Sequence, residues 1–175
     1  PSAKVTIATT MTECIIGLGA NLDNPQQQIL DACQELLQHA DIRQFNVSSL
    51  YSSKPMGPQD QPDYVNAVAV FHSSLTPHAL LDLLQYIEQQ HGRTRIQHWG
   101  PRTLDLDLLF YGELQINDDR LTVPHPGVLD REFVVIPLAE LRPDYILPNQ
   151  KSALIYAEAL DLKELQAIHP GLTAN

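Results

Sequence analysis

Long hydrophobic runs are missing from this sequence. No apolar stretch approaches the roughly twenty residues that a membrane-spanning helix needs, so no transmembrane helix and no membrane partner are expected. The opening PSAKVTIATT carries one lysine and no long apolar segment, so it does not read as a secretory signal. Residues 1–11 are expected to be an appended or disordered N-terminus, with Met11 a candidate start. Cysteine is scarce: Cys14 in an apparent strand and Cys33 on an apparent helix face are the only two. That scarcity reads as two buried thiols in a reducing compartment, the cytoplasm, rather than as a disulfide framework. Positive charge is scarce too, with 11 Lys and Arg against 21 Asp and Glu, for a net charge of −10. Nucleic-acid binders usually carry the opposite sign, so no nucleic-acid partner is expected.

What is present is an ordinary globular composition, 43% hydrophobic and 18% charged, over 175 residues. That length suits one domain with one sizeable core, spanning 1–175. The few positive charges are unevenly placed. Five of the seven arginines lie between Arg93 and Arg131, three of them within Arg93–Arg102. An acidic chain that gathers its arginines points to one small anion, and phosphate oxygens match the guanidinium fork.

Periodicity sets the elements. Glu13–Gly19 reads as a buried strand. Asn24-Pro25 supplies an N-cap and a first-turn proline for a helix that runs to about Ala40 on the apolar stripe Ile29, Leu30, Cys33, Leu36, Leu37. Phe45, Val47, Ser49 and Tyr51 alternate as a second strand, and Tyr64–His72 makes a third. Thr76-Pro77 opens a second helix that Gly92 ends. Leu104–Tyr111 is the fourth strand. Loops occupy 53–62 and 93–103. The order β-α-β-β-α-β predicts an α+β, ferredoxin-like core: an antiparallel sheet with both helices on one face. A C-terminal helical extension follows, with short helices near Glu132–Leu141 and Ser152–Leu160. Gly17-Leu18-Gly19 lacks the third glycine of a dinucleotide fingerprint and reads as a tight turn at a strand end.

Three constellations carry chemistry. Alternation in the fourth strand sends Leu104, Leu106 and Leu108 toward the helices and Asp105 and Asp107 to the opposite face, alpha carbons roughly 6–7 Å apart. Aspartates are disfavoured in strands and repel on a shared face, unless a cation lies between them. Hard oxygens at this spacing suit Mg2+, and the arginine-rich loop directly before them suits phosphate, the components of phosphoryl transfer. A solvent-facing strand surface is the competing reading. His125, in Leu121-Thr-Val-Pro-His125-Pro between Arg120 and Arg131, is either an unremarkable loop residue or a donor to a phosphate oxygen. Tyr64 and Asn66 share a sheet face, and with Phe133 they form either core filling or a reader of a flat heterocycle, the rings stacking and the amide matching a polar edge.

Three blocks then carry a family likeness: K-P-M-G-P-Q-D-Q-P-D-Y-V-N-A-V, R-T-R-I-Q-H-W-G-P-R-T-L-D-L-D-L-L-F-Y-G and L-T-V-P-H-P. In this order they resemble the signatures of the 6-hydroxymethyl-7,8-dihydropterin pyrophosphokinases of the folate pathway, from about Thr12 to about Pro148. The resemblance implies a ferredoxin-like fold and transfer of pyrophosphate from ATP to 6-hydroxymethyl-7,8-dihydropterin. By position it implies that Asp105 and Asp107 bind two Mg2+ ions, and that Arg93, Arg95, Arg102, Arg120, His125 and Arg131 hold phosphates. Tyr64 and Phe133 would sandwich the pterin. Asn66 would hydrogen-bond it, helped by Ser53, Pro55, Met56 and Gly57. Trp99 would close over the site, and Gln85, Glu88, Leu108 and Thr122 would belong to the ATP pocket. The chain departs from several members at His98, where they have an arginine, in a loop one residue shorter. A monomer is expected. The rival readings are a non-catalytic pterin or nucleotide sensor and a metal-dependent phosphohydrolase.

Overall fold

In the computed structural model the residues described are 10–22, 24–53, 63–92, 104–160 and 166–169. The apolar alternation of the sequence is resolved into one antiparallel sheet with β1 (Thr12–Ala20) near its centre. On one side β1 pairs with β5 (Asp105–Tyr111), on the other with β4 (Tyr64–Ser73). β2 (Ile42–Val47) and β3 (Leu50–Ser53) both pair with β4. The single second strand of the sequence reading is therefore two strands, and the register of β2 breaks between Arg43 and Asn46, where Gln44 has a φ of 54°. A bulge of this kind is invisible to an alternation count, because it changes the phase without changing composition.

Each face of the sheet is buried differently. Cys14, Ile16, Leu18, Ala67, Phe71 and Leu106 pack under α1 (Pro25–Leu37) and α2 (Pro77–Gln90), which supply Ile29, Leu36, Leu80 and Leu84. Both core helices thus lie on one face, as the element order predicts. The opposite face, with Ile15, Val68, Val70, Leu109 and Phe110, packs against α3 (Glu132–Leu141) and α4 (Ala153–Glu158). The C-terminal extension is consequently not only helical and not merely appended. It closes the second face of the sheet and ends in β8 (Gln166–His169), which pairs with β3 at the sheet edge.

Local signals behave as their chemistry dictates, with exceptions. Thr76 caps α2, its hydroxyl accepting from the Ala79 N–H, and Gly92 follows the helix at φ 76°, a conformation that costs glycine little. Asn24 stands at the N-cap of α1 but in the left-handed region, with no side-chain cap; only its carbonyl engages, accepting from the Gln28 N–H at 3.1 Å. α1 ends at Leu37, short of Ala40, because the next residues turn into β2. Gly17 and Gly19 do not form a turn. They lie inside β1, on the α3 face. After β5 a small hairpin, β6 (Ile116–Asn117) and β7 (Thr122–Val123), leads to a cis Val123–Pro124 bond and a short 3-10 turn at Val128–Asp130. Among the described residues no helix is long and apolar enough to cross a membrane.

Both cysteines are free and buried. Burial pushes each thiol up to about 12, with the Glu13 carboxylate adding to the shift at Cys14. In the folded protein neither should react with a thiol-titrating disulfide reagent at pH 8, and both should titrate in denaturant. Rapid modification of either in the native state would contradict this packing.

Candidate active site

Cross-strand registration assembles the site. Asp105 on β5 lies opposite Gly19 on β1, Gly19 opposite Asn66 on β4, and Asn66 opposite Tyr51 on β3. One row further along, Asp107 lies opposite Gly17, and Gly17 opposite Val68. All these residues share the face on which α3 packs. Gly19 carries no side chain, and the Asn66 carboxamide leans over it from β4, while the Leu109 side chain covers Gly17. Strands stand about 4.8 Å apart, so the β5 and β4 backbones that bear Asp105 and Asn66 form the sides of a trough roughly 10 Å across. A Cβ added at Gly19 would lie 2.9 Å from Asn66 Oδ1, which explains glycine in a strand that otherwise favours branched residues. Asn66 is buried and oriented: its Nδ2 donates to Ser53 Oγ at 3.2 Å. Tyr64, half-buried, precedes it on the same face.

A second wall comes from the segment after the hairpin. The His125 backbone N–H donates to the Leu109 carbonyl at 2.9 Å, which pins the segment to β5. Its Nδ1 accepts from the Gly127 N–H at 3.1 Å, so the neutral ring carries its proton on Nε2 and presents a donor there. Burial holds the imidazole below its usual range. Arg131 lowers it further, while Asp105 acts in the opposite direction. Arg131 Nη1 stands 3.8 Å from Asp107 Oδ2, a charge contact too long for a hydrogen bond, and its guanidinium lies 5.8 Å from the Phe133 ring centroid. The structure thus brings Asp105, Asp107, His125, Arg131 and Phe133 together around the trough. Two hard carboxylates on one strand face fit Mg2+, which takes one or two carboxylates and completes its shell with water and phosphate oxygens.

The helix side holds the strand in place. Glu88, buried in α2, accepts the Leu106 N–H at 2.9 Å, and Leu106 is the residue between the two aspartates. Among the described residues β5 lies at the sheet edge, and this carboxylate satisfies a backbone donor that no described strand reaches. Gln85 stands one turn earlier on α2. The Leu108 side chain is buried in the helix-side core at 3% exposure, the face to which strand alternation assigns it. Arg120 and Thr122 sit on the hairpin. Arg120 is paired with Asp82 of α2 at 2.5 Å, and the Thr122 hydroxyl meets Asn117 Oδ1 at 3.4 Å. Among the described residues no contact ties either one to the aspartates.

Arg93, Arg95, Trp99, Arg102, Pro55, Met56 and Gly57 lie outside the described residues, as does His98. Other contributors had no signal that a sequence reading could weigh. Glu140 on α3 accepts from the Ser49 N–H at 2.6 Å and the Tyr51 hydroxyl at 2.7 Å, tying β3 to α3. Burial and this carboxylate raise the Tyr51 phenol, so it stays protonated and donates. The partners are about 90 residues apart in the chain, and nothing local couples them. The place of Gly19 under the Asn66 carboxamide becomes visible only once β4 is known to flank β1.

Residues 15–143 match the family model described as 7,8-dihydro-6-hydroxymethylpterin-pyrophosphokinase. A 2-amino-4-hydroxy-6-hydroxymethyldihydropteridine pyrophosphokinase from Haemophilus influenzae is 49% identical over 141 residues, which cover 81% of this chain and 88% of the relative. A Synechocystis protein of the same name is 43% identical over 159 residues, 90% of this chain and 81% of its own. A folic acid synthesis protein from Pneumocystis carinii is 40% identical over 91% of this chain, which spans only 22% of that longer protein. A crystal structure of Plasmodium falciparum HPPK-DHPS superposes with a TM-score of 0.66 at 13% identity, covering 88% of this chain and 44% of that one, a likeness of fold. With its aspartate pair and its buried asparagine inside the matched segment, this chain belongs to the 7,8-dihydro-6-hydroxymethylpterin-pyrophosphokinase family.

Proposed function

We infer that this protein is an enzyme that transfers the pyrophosphoryl group of ATP to 6-hydroxymethyl-7,8-dihydropterin, giving AMP and the pterin diphosphate in folate biosynthesis. The observation that carries the reading is the row Asp105–Gly19–Asn66: a carboxylate for a metal-bound polyphosphate on one wall, an amide for a flat heterocycle on the other, and a residue without a side chain between them. The chemistry requires both walls. The pterin hydroxymethyl oxygen forms a bond to the β-phosphorus of ATP while the bond from that phosphorus to the α,β-bridging oxygen breaks, and AMP leaves with the electron pair. The hydroxyl proton passes to solvent water. Such a displacement is fast only when attacker and leaving group are held in line, so positioning is the main task of the protein.

In this reading Asn66, held by Ser53, matches the polar edge of the pterin, with Tyr64 and Phe133 on its faces. Pro55, Met56 and Gly57 would add to that pocket. Asp105 and Asp107 would hold two Mg2+ ions. Mg2+ held there would neutralise phosphate charge and acidify a bound hydroxyl. Arg131 and the Nε2–H of His125 would donate to phosphate oxygens, joined by Arg93, Arg95, Arg102, Arg120 and Thr122. Gln85, Glu88 and the Leu108 backbone would border the nucleotide, and Trp99 would close the site. His125 is not a base here, since its one lone pair already accepts from Gly127. The strand order β5-β1-β4, with β2 and β3 both on β4, supports the ferredoxin-like description of the core. The reading is completed by a single domain acting as a cytoplasmic monomer.

Product analysis tests the reaction: with ATP, Mg2+ and the hydroxymethylpterin, AMP should accumulate in step with the pterin diphosphate. ADP as the nucleotide product, or nucleotide hydrolysis that proceeds without the pterin, would overturn the reading. Asp107→Ala should lower turnover by at least about 10²-fold, the usual scale for losing a charge-stabilising group, while circular dichroism stays unchanged. Near-normal turnover would remove the metal role. Gly19→Ala should leave the fold intact, because Asn66 can swing aside. It should nonetheless raise KM for the pterin about 10-fold or more, as expected when an oriented hydrogen bond is lost. An unchanged pterin KM would show that the close approach of Gly19 and Asn66 is not used.

A further inference from the structure

The helix α2 carries His78, Asp82 and Gln85 at i, i+4 and i+7, one continuous stripe, and the β6–β7 hairpin lies along it. Two polar contacts join them. His78 Nε2 meets Asp118 Oδ2 at 2.7 Å, and Arg120 Nη2 donates to Asp82 Oδ1 at 2.5 Å. Asp118 Oδ1 also accepts the backbone N–H groups of Arg120 and Leu121, each at 2.9 Å, so the tip of the hairpin is fixed from within as well. The Arg120 N–H, then the Leu121 N–H and then His78 hold the Asp118 carboxyl below its usual range.

Arg120 is thus an exposed arginine whose backbone is locked by one aspartate and whose guanidinium is aimed by another. The side chains of Arg120 and Asp82 are 50% and 62% exposed, so the pair adds little to stability. Its consequence is orientation. An arginine side chain has many rotamers, and a ligand that captures a free one must order it. Asp82 bonds to one guanidinium nitrogen, while the group as a whole has five N–H donors. The next residue along the stripe, Gln85, already belongs to the nucleotide side of the proposed site.

We propose that Asp82 is a positioning residue for the nucleotide: it acts through Arg120, holding the guanidinium where the phosphates of ATP bind. This rests on the nucleotide reading given above. A carboxylate beside a polyanion also repels it, and at this exposed site salt screens that repulsion and the Asp82–Arg120 pair alike, so ionic strength does not separate them. The two effects separate by substitution. Asp82→Ala removes both the charge and the hydrogen-bond acceptor. Asp82→Asn removes the charge and keeps an acceptor.

The test is a double-mutant cycle on the full chain, with KM for ATP and kcat measured at saturating pterin. Arg120→Ala should raise KM for ATP by about 10-fold or more, the scale of one charge-assisted hydrogen bond. Asp82→Ala should raise it by about 3- to 10-fold with kcat within about twofold, and Asp82→Asn should stay near wild type, as expected if preorganisation dominates. In the Arg120→Ala background, Asp82→Ala should add nothing, a readout that a merely structural role would not produce. Multiplying effects in the double variant, or an unchanged or lowered KM for ATP in Asp82→Ala, would overturn the proposal. So would an Arg120→Ala enzyme with wild-type KM for ATP. A wild-type protein that forms no pterin-dependent AMP would instead remove the nucleotide reading itself, and this inference with it.

Discussion

Everything at the site depends on the pairing of β5 with β1. That ladder, Asp105 to Gly19 and Asp107 to Gly17, fixes which face the aspartates occupy and what they look across. A slip of one residue would send both carboxylates into the helix-side core and bring Leu106 out to the trough. Several contacts resist that slip. The leucines Leu104, Leu106 and Leu108 are buried under the helices, and Glu88 grips the Leu106 N–H from below. Glu88 is therefore structural and near-functional at once, because a buried carboxylate defines the register of the strand that carries the other two.

The same strand changes phase where the site ends. Ile16 pairs with Leu108 but Ile15 pairs with Phe110, so Leu109 is an extra residue. Leu109 and Phe110 both enter the α3-side core, and Tyr111 returns to the helix side. A bulge thus divides β5 into a half that presents carboxylates and a half that buries apolar side chains on that same face. The Leu109 carbonyl then receives the His125 N–H, so the irregularity also anchors the segment bearing the histidine.

α3 links the two cores of the molecule to the trough. Arg131 and Phe133 stand at its start beside the aspartates, Val134, Val135 and Leu138 fill the second core, and Glu140 near its end ties down β3. Deleting the C-terminal extension would thus uncover Ile15, Val68 and Val70 and remove one wall of the site, which is why the segment from Glu132 onward belongs with the functional unit.

The sequence by itself determined the chemistry and the order of the elements. Alternation in Leu104–Tyr111 assigned the aspartates to one face, the Thr76-Pro77 signal started α2, and spacing joined Tyr64 to Asn66, because strand and helix periods are local properties that residue order alone reveals. The tertiary structure alone decided what meets across the sheet: that Gly17 and Gly19 lie inside a strand rather than in a turn, that the second strand breaks in two, that the C-terminal segment seals the far face, and that Arg120 is held by Asp82. Those are matters of registration between strands and helices far apart in the chain. Each depends on which elements become neighbours once the two faces of the sheet are buried, and no local pattern encodes it.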